Sequence, residues 1–267
     1  MAIRLHRMSA AGNAFYVSLD LDPQAGPSLA RLLASSSDGL ILGYSDPASM
    51  RMFNPDGSEA MCGNGLRCLA RLMSKKDLFQ DGGRIITLDG PKTVRVRDDF
   101  VEAEMGHARS IEGIGVGLDE ILEIKIGEET FRGHAVFVGN PHWVIPSDDY
   151  LQGRVGELGP LFQTHEKFPD GVNAEFSIRE NDGFRVRVWE RGVGETLSCG
   201  TGALAVASVG PKGIAPGETR RIRYPGGELT VRSDELGVLH LGGDIRHEGL
   251  YEWREFEGLV PLHEEKA

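Results

Sequence analysis

The feature that most constrains this chain is an internal echo. "CGNG" begins at Cys62 and "CGTG" at Cys199, about half a chain length apart. Upstream, "AGNAF" (11–15) and "VGNPH" (138–142) echo one another in the same order. The approaches match as well. "FNPDGSEAMCGNG" and "WERGVGETLSCGTG" each run from a strand end through a Gly-containing turn and an acid to the cysteine. One match is noise, but two in the same order at similar offsets point to a duplicated unit. The glycines of "SIEGIGVGLDE" put the division near residue 115.

Each cysteine is expected to open a helix. After Cys62, Leu66, Leu69, Ala70 and Met73 fall on one helical face, with Arg67, Arg71 and Lys75 on the opposite stripe. After Cys199, "GALAVASV" is small and apolar all round, as in a helix buried on every side, and Gly210-Pro211 stops it. "SLARLLASS" (28–36) is a third helix. Strands account for most of the rest: a meander over 84–106, "FRGHAVFVG" (131–139), "GFRVRVWERG" (183–192) and three strands over 220–243. Segment 146–171, rich in Gly, Pro and Asp, reads as a long excursion. The class is α+β or mixed α/β, with many strands.

Composition narrows the function. A net charge of -11 disfavours nucleic acid, which wants a basic footprint, but leaves room for a small zwitterionic amino acid. There is no run of eighteen apolar residues and no signal-like apolar run near the start, so no membrane span and a cytoplasmic location are expected. Three cysteines are too few for a disulfide framework, and no Cys or His pair has zinc-finger spacing, so no metal is expected.

A cysteine at a helix start sits beside unpaired N–H groups and the positive end of the helix dipole, which lowers its pKa. The glycines beside it let an anion such as a carboxylate approach the backbone. Two such helix ends at one cleft would hold one carboxylate, with a sulfur on each side of the attached carbon. One thiolate then removes a proton from one face while the other thiol returns one to the opposite face, which is racemisation or epimerisation. No lysine in the Gly-rich motifs or in "VGNPHW" offers a Schiff base, so no cofactor is expected.

At "FNPDGSEAMCGNGLRC", "GNPHWV", "PDGVNAEF", "WERGVGETLSCGTGA" and "YPGGEL" the chain resembles the diaminopimelate epimerase family, cofactor-independent enzymes of lysine and peptidoglycan biosynthesis. The resemblance implies an α+β fold of two pseudo-symmetric lobes, each a mostly antiparallel sheet wrapped around a central helix. The lobes would be 1–115, joined by the tail 252–267, and 116–251, with substrate in the cleft between them. It implies Cys62 and Cys199 as the acid–base pair, assisted by His142 and Glu190. Asn13, Asn54, Asn140, Asn173 and Arg191 would bind substrate. Gly63, Asn64, Gly200 and Thr201 would hold the reacting carboxylate, and Glu190 would pair with an ammonium group. A homodimer is common in the family. Three departures lie in the first lobe: Ala14 where the family has an acid, "LLASSSDGL" in place of a run with Arg or His and Gly, and Gly39 where some members use Gln.

Plainer readings stand beside these. Cys62 and Cys199 could be structural thiols, His142 a structural histidine, and Asn54 and Asn173 turn residues. Glu190 and Arg191 could be an exposed ion pair. Cys68 is read as core, and His107, His134 and His240 as surface or strand residues. The rival functions are a histidine- or proline-type racemase, a thiol redox protein, and a non-catalytic amino acid binder. Proline racemases usually carry His where this chain has Asn64.

Overall fold

The computed structural model describes residues 3–210, 213–254 and 257–262. Pro211, expected to stop a helix, and residues 255–256 and 263–267 of the tail lie outside them. The chain forms two compact units, Met1–Glu104 with Gly243–Ala267, and Met105–Gly242.

Both units are built in the same order. In the first, strand Ile3–Ala10 pairs antiparallel with Asn13–Ser18, which pairs parallel with Gly39–Ser45, which pairs antiparallel with Ala48–Phe53. That strand pairs parallel with Arg84–Thr87, which leads antiparallel to Gly90–Arg97 and then Phe100–Gly106. In the second unit, Glu129–Val138 pairs antiparallel with Asn140–Pro146, which pairs parallel with Asn173–Glu180, which pairs antiparallel with Gly183–Glu190. That strand pairs parallel with Thr219–Tyr224, which leads antiparallel to Gly227–Ser233 and then to the start of Leu239–Arg254. The α+β class with mostly antiparallel sheets follows. The first unit is completed when Ile3–Ala10 pairs with the later part of Leu239–Arg254, and Gly258–Leu262 pairs outside it.

The chain repeats reappear as matching turns. Gly12 (φ 89°) and Gly139 (φ 77°) adopt the left-handed backbone that lets each hairpin reverse just before Asn13 and Asn140.

Each unit has a helix beneath its sheet and another above it. In chain order, α1 is Gly26–Leu33, α2 is Gly63–Lys75, α3 is Asp149–Gly153, α4 is Val155–Gln163 and α5 is Gly200–Ser208. Strand Gly39–Ser45 shows the layering, with residues alternating between its two faces. Leu40 and Leu42 join Leu29, Ala30 and Leu33 of α1 in one core. Ile41 and Gly43 face α2: a Cβ on Gly43 would come within 2.3 Å of Leu69, and one on Gly65 would come 3.0 Å from Ile41. In the second unit, Ala174 and Phe176 pack with Val155, Leu158 and Phe162 of α4. Glu175, between them, faces α5 at Gly202.

Helices α3 and α4 lie within 146–171, the segment read as a long excursion, and give it helical structure that the sequence reading did not assign. Gly156, Gly159 and Pro160 mask the period in the sequence. Gly159 is needed because a Cβ there would meet Trp189 at 2.4 Å. A second correction concerns Arg67. Although it lies on the stripe opposite the apolar face, it is fully buried, because strands pack on α2 from several sides.

At the end of α2, His6 Nδ1 lies 3.0 Å from His247 Nε2. Burial, together with Lys76, His247 and Lys75, pulls the His6 pKa down to about 4. The unfolded chain takes up this proton below about 6.5, and the folded chain only near 4, so His6 costs stability progressively as pH falls through that window. The urea midpoint is therefore expected to drop between pH 7 and pH 4, and the drop should be smaller in His6→Leu.

Candidate active site

Cys62 and Cys199 occupy the same local structure. Each is the N-cap of its helix in extended backbone, with φ/ψ of -138°/118° for Cys62 and -130°/119° for Cys199. Each sulfur accepts the backbone N–H three residues on, Gly65 N at 3.4 Å and Gly202 N at 3.4 Å. A thiol thus fills the position usually held by Ser, Thr, Asp or Asn. Gly63, Asn64, Gly200 and Thr201 form the first turns that follow.

In the first unit, Asn13 opens its strand and accepts the amide of Asn64 at 2.7 Å. The Asn64 side-chain oxygen accepts from Arg67 at 2.6 Å. Asn54 lies in a tight turn. Its N–H reaches Ser58 O at 2.8 Å, its carbonyl accepts from Gly57 N at 2.8 Å, and its amide donates to Ser58 Oγ at 3.0 Å. These are the contacts of a turn residue. Two of the sequence departures also become legible. Asp38 accepts the backbone N–H of Ala14 at 2.7 Å. A side chain on Gly39 would meet Met52 at 2.7 Å and Phe53 O at 2.9 Å.

In the second unit, the residues singled out gather into three hydrogen-bonded groups. His142 is fully buried, with Nδ1 2.6 Å from Glu175 Oε1 and Nε2 2.6 Å from Asn140 Oδ1. Glu190 accepts the Thr196 hydroxyl and lies close enough to Cys199 for a side-chain hydrogen bond. Asn173 donates to Pro141 O at 2.8 Å and accepts Arg191 N at 2.9 Å, while the Arg191 guanidinium donates to Asp170 O at 2.8 Å. Glu190 and Arg191 are therefore not paired with each other.

Sequence reasoning missed Glu175 and Tyr224. Glu175 is fully buried, and its Oε2 has no hydrogen-bond partner among the described residues. The same is true of the Tyr224 hydroxyl. Both converge on the start of α5, where a Cβ on Gly202 would lie 2.8 Å from Glu175 Oε1 and 3.2 Å from Tyr224 Oη. The echo held a usable signal. Glu175 takes the place in its strand that Ile41 takes in the first unit, since His142 sits opposite Asn173 as Phe15 sits opposite Gly39.

The electrostatics correct one expectation. A helix start was expected to lower the pKa of Cys199, but it is pushed well up, by burial first and then by Glu190 and Glu175. The N–H of Gly202 and the Thr201 hydroxyl oppose this and are outweighed. Burial also raises Glu190. Cys68 is fully buried and its thiol is pushed up by burial, as suits a core residue. No group of three or more potential metal-binding side chains occurs among the described residues. No helix among them is long and apolar enough to cross a membrane.

The fold of the chain is a known one. A hydroxyproline epimerase from Agrobacterium vitis superposes with a TM-score of 0.67 at 16% identity, covering 97% of this chain and 93% of its own. A phenazine biosynthesis protein of the PhzF family from Bacillus anthracis gives 0.68 at 15% identity, covering 94% and 99%. At such identities the likeness defines the fold alone.

Sequence comparison is more specific. The diaminopimelate epimerase family model matches residues 134–243. A diaminopimelate epimerase of Parabacteroides distasonis is 37% identical over 98% of this chain and 99% of its own. One from Bacillus pumilus is 40% identical over 77% and 80%. The chain belongs to the diaminopimelate epimerase family.

Proposed function

We propose that this protein is a diaminopimelate epimerase that interconverts the LL and meso forms without pyridoxal phosphate. The observation that carries the reading is the matched pair of cysteine N-caps, one in each unit, with the same backbone geometry and the same N–H to sulfur contact. A proton relay needs the two sulfurs on opposite faces of one bound carbon. Cys62 as thiolate takes the α-proton, and the Cys199 thiol gives its proton to the opposite face. The turnover ends with Cys62 as thiol and Cys199 as thiolate, and the reverse reaction exchanges their roles. Backbone N–H groups at the two helix starts stabilise the charge that develops on the α-carboxylate, each such donor being worth about 3 kcal/mol. His142, held by Glu175, and Glu190, beside Cys199, assist proton movement at the second sulfur. Asn13, Asn54, Asn140, Asn173 and Arg191 bind the remainder of the substrate. A cytoplasmic homodimer completes the reading.

The rival that a specific observation keeps open is a histidine-type racemase. Gly39 and Ala14 leave the first unit without two side chains that the family resemblance would place there. The reduced protein is therefore incubated in D₂O with LL-diaminopimelate, and separately with L-histidine and L-proline. Deuterium at the α-carbon with inversion is expected for diaminopimelate. Exchange with histidine alone would overturn the substrate, and exchange with none would overturn the racemase reading.

Gly202→Ala probes the second sulfur's support. Its Cβ would press on Glu175 Oε1, the Cys199 Cβ (3.1 Å) and Tyr224 Oη. A shift approaching 1 Å at a reacting group can cost about 100-fold, so kcat/KM is expected to fall by roughly 10- to 100-fold. Steady-state kinetics check this.

A further inference from the structure

We infer that Arg67 fixes the direction of a hydrogen-bond chain running through Asn64 to Asn13, so that Asn13 offers an N–H donor, and not a carbonyl, to bound substrate. Arg67 is a positioning residue here, acting through Asn64. The inference deepens the proposed function and rests on Asn13 being a substrate contact.

The chain begins with a buried cation. Arg67 is fully buried, one turn beyond the N-cap of α2. Its Nη1 donates to Gly243 O at 2.9 Å and its Nη2 to Asn64 Oδ1 at 2.6 Å. Desolvation draws its pKa down to about 10, still far above neutral, and nearby Cys62 and Asp244 favour its charge. A guanidinium has five N–H donors and no acceptor. The Asn64 amide therefore has one possible orientation, with its oxygen toward Arg67. Its nitrogen then donates to Asn13 Oδ1, at 2.7 Å. That bond turns the Asn13 oxygen toward Asn64 and leaves Nδ2 as the end of the Asn13 amide directed away from it. Asn64 is only 1% exposed, so its side chain serves as the link, leaving its backbone to the helix start.

A neutral residue at 67 would not have this effect, because an asparagine amide turned by 180° pairs equally well with a group that can both donate and accept. The cation removes that freedom. An N–H donor suits an acceptor on the ligand, such as a carboxylate, and repels an ammonium. In the second unit the corresponding position holds no cation: Leu204 stands five residues after Cys199, where Arg67 stands five after Cys62.

Two substitutions test the direction. In Asn64→Asp the carboxylate still accepts from Arg67 but cannot donate to Asn13. Asn13 then turns its N–H inward and presents its oxygen outward. The melting temperature is expected to hold or rise, because the buried cation gains a charged partner. KM for LL-diaminopimelate is expected to rise about 10- to 100-fold, the size of one lost hydrogen bond to a charged group. Because a new anion at residue 64 sits at a helix start read as holding the substrate carboxylate, Asn13→Ala is the uncharged control: it removes the donor alone, is expected to raise KM at least tenfold, and an unchanged KM in that folded variant would overturn the inference. In Asn13→Asp the chain up to Asn64 is preserved, and an acceptor replaces the donor. KM is again expected to rise at least tenfold.

The parent protein is assayed beside these variants. If the parent turns over diaminopimelate and any folded variant keeps the parental KM, the inferred direction is wrong. If the parent shows no turnover, it is the proposed function that fails, and Asn64→Asp is then judged by melting temperature alone. A fall in that temperature would show that Arg67 does not pair with residue 64 as described.

Discussion

Alanine at Cys62 or at Cys199 is expected to abolish epimerisation, lowering kcat by about 1,000-fold or more. General acid–base groups contribute roughly 100- to 10,000-fold each, and the proposed relay assigns one sulfur to each face of the α-carbon. Both variants should fold, since losing one sulfur at an N-cap costs about 1 kcal/mol. Both should still bind substrate, because the N–H groups of the helix starts are backbone. Calorimetry with LL-diaminopimelate, run beside the D₂O exchange assay, reads the two properties separately. Binding retained with exchange lost supports the relay. Rapid turnover by either alanine variant would remove that cysteine from the mechanism. A thiol redox protein would instead lose a reversible disulfide and show no proton exchange even in the parent.

Glu175→Ala is expected to destabilise the protein by about 1–3 kcal/mol, the cost of leaving a buried hydrogen-bonding group without its partner. Glu175 and His142 are both fully buried and 2.6 Å apart. Without Glu175, the fully buried histidine keeps its bond to Asn140. Glu175→Gln retains an oxygen for His142 Nδ1–H and is expected to cost less than half as much. Urea unfolding at pH 7 measures both. A cost below about 1 kcal/mol for the alanine variant would show that His142 does not depend on this carboxylate. Because Glu175 also raises the pKa of Cys199, the pH at which Cys199 reacts with an alkylating reagent should move down in Glu175→Gln.

Much of the site could be read from the sequence because it is written twice. The two Cys-Gly motifs announce helix starts, and the structure places both cysteines as N-caps. The apolar run after Cys199 foretold a helix enclosed on every side, and Gly202–Ser208 are buried. The same enclosure was hidden around α2, because Arg67 reads as solvent-facing unless the helix is known to be wrapped by a sheet. Glu175 was hidden for a related reason. Within "NAEFSIRE" an acid looks like the polar face of a half-buried strand, yet this strand is covered on both sides. Strand Gly39–Ser45 offered no alternation for the same cause: a strand between two helical layers is apolar throughout. Helix α4 escaped because its glycines and proline serve close packing against Trp189, not a turn.

The return of the late strand to the first unit has a consequence for biosynthesis. Ile3 faces Trp253, and Ala10 faces Ile245. A chain emerging from the ribosome holds all of residues 105–242 before its opening strand meets that neighbour. The Cys199 half can therefore assemble while the Cys62 half still has an open sheet edge, which is a template for mispairing. A released chain truncated after Gly242 should show a protease-resistant Cys199 half beside a Cys62 half that is readily cleaved.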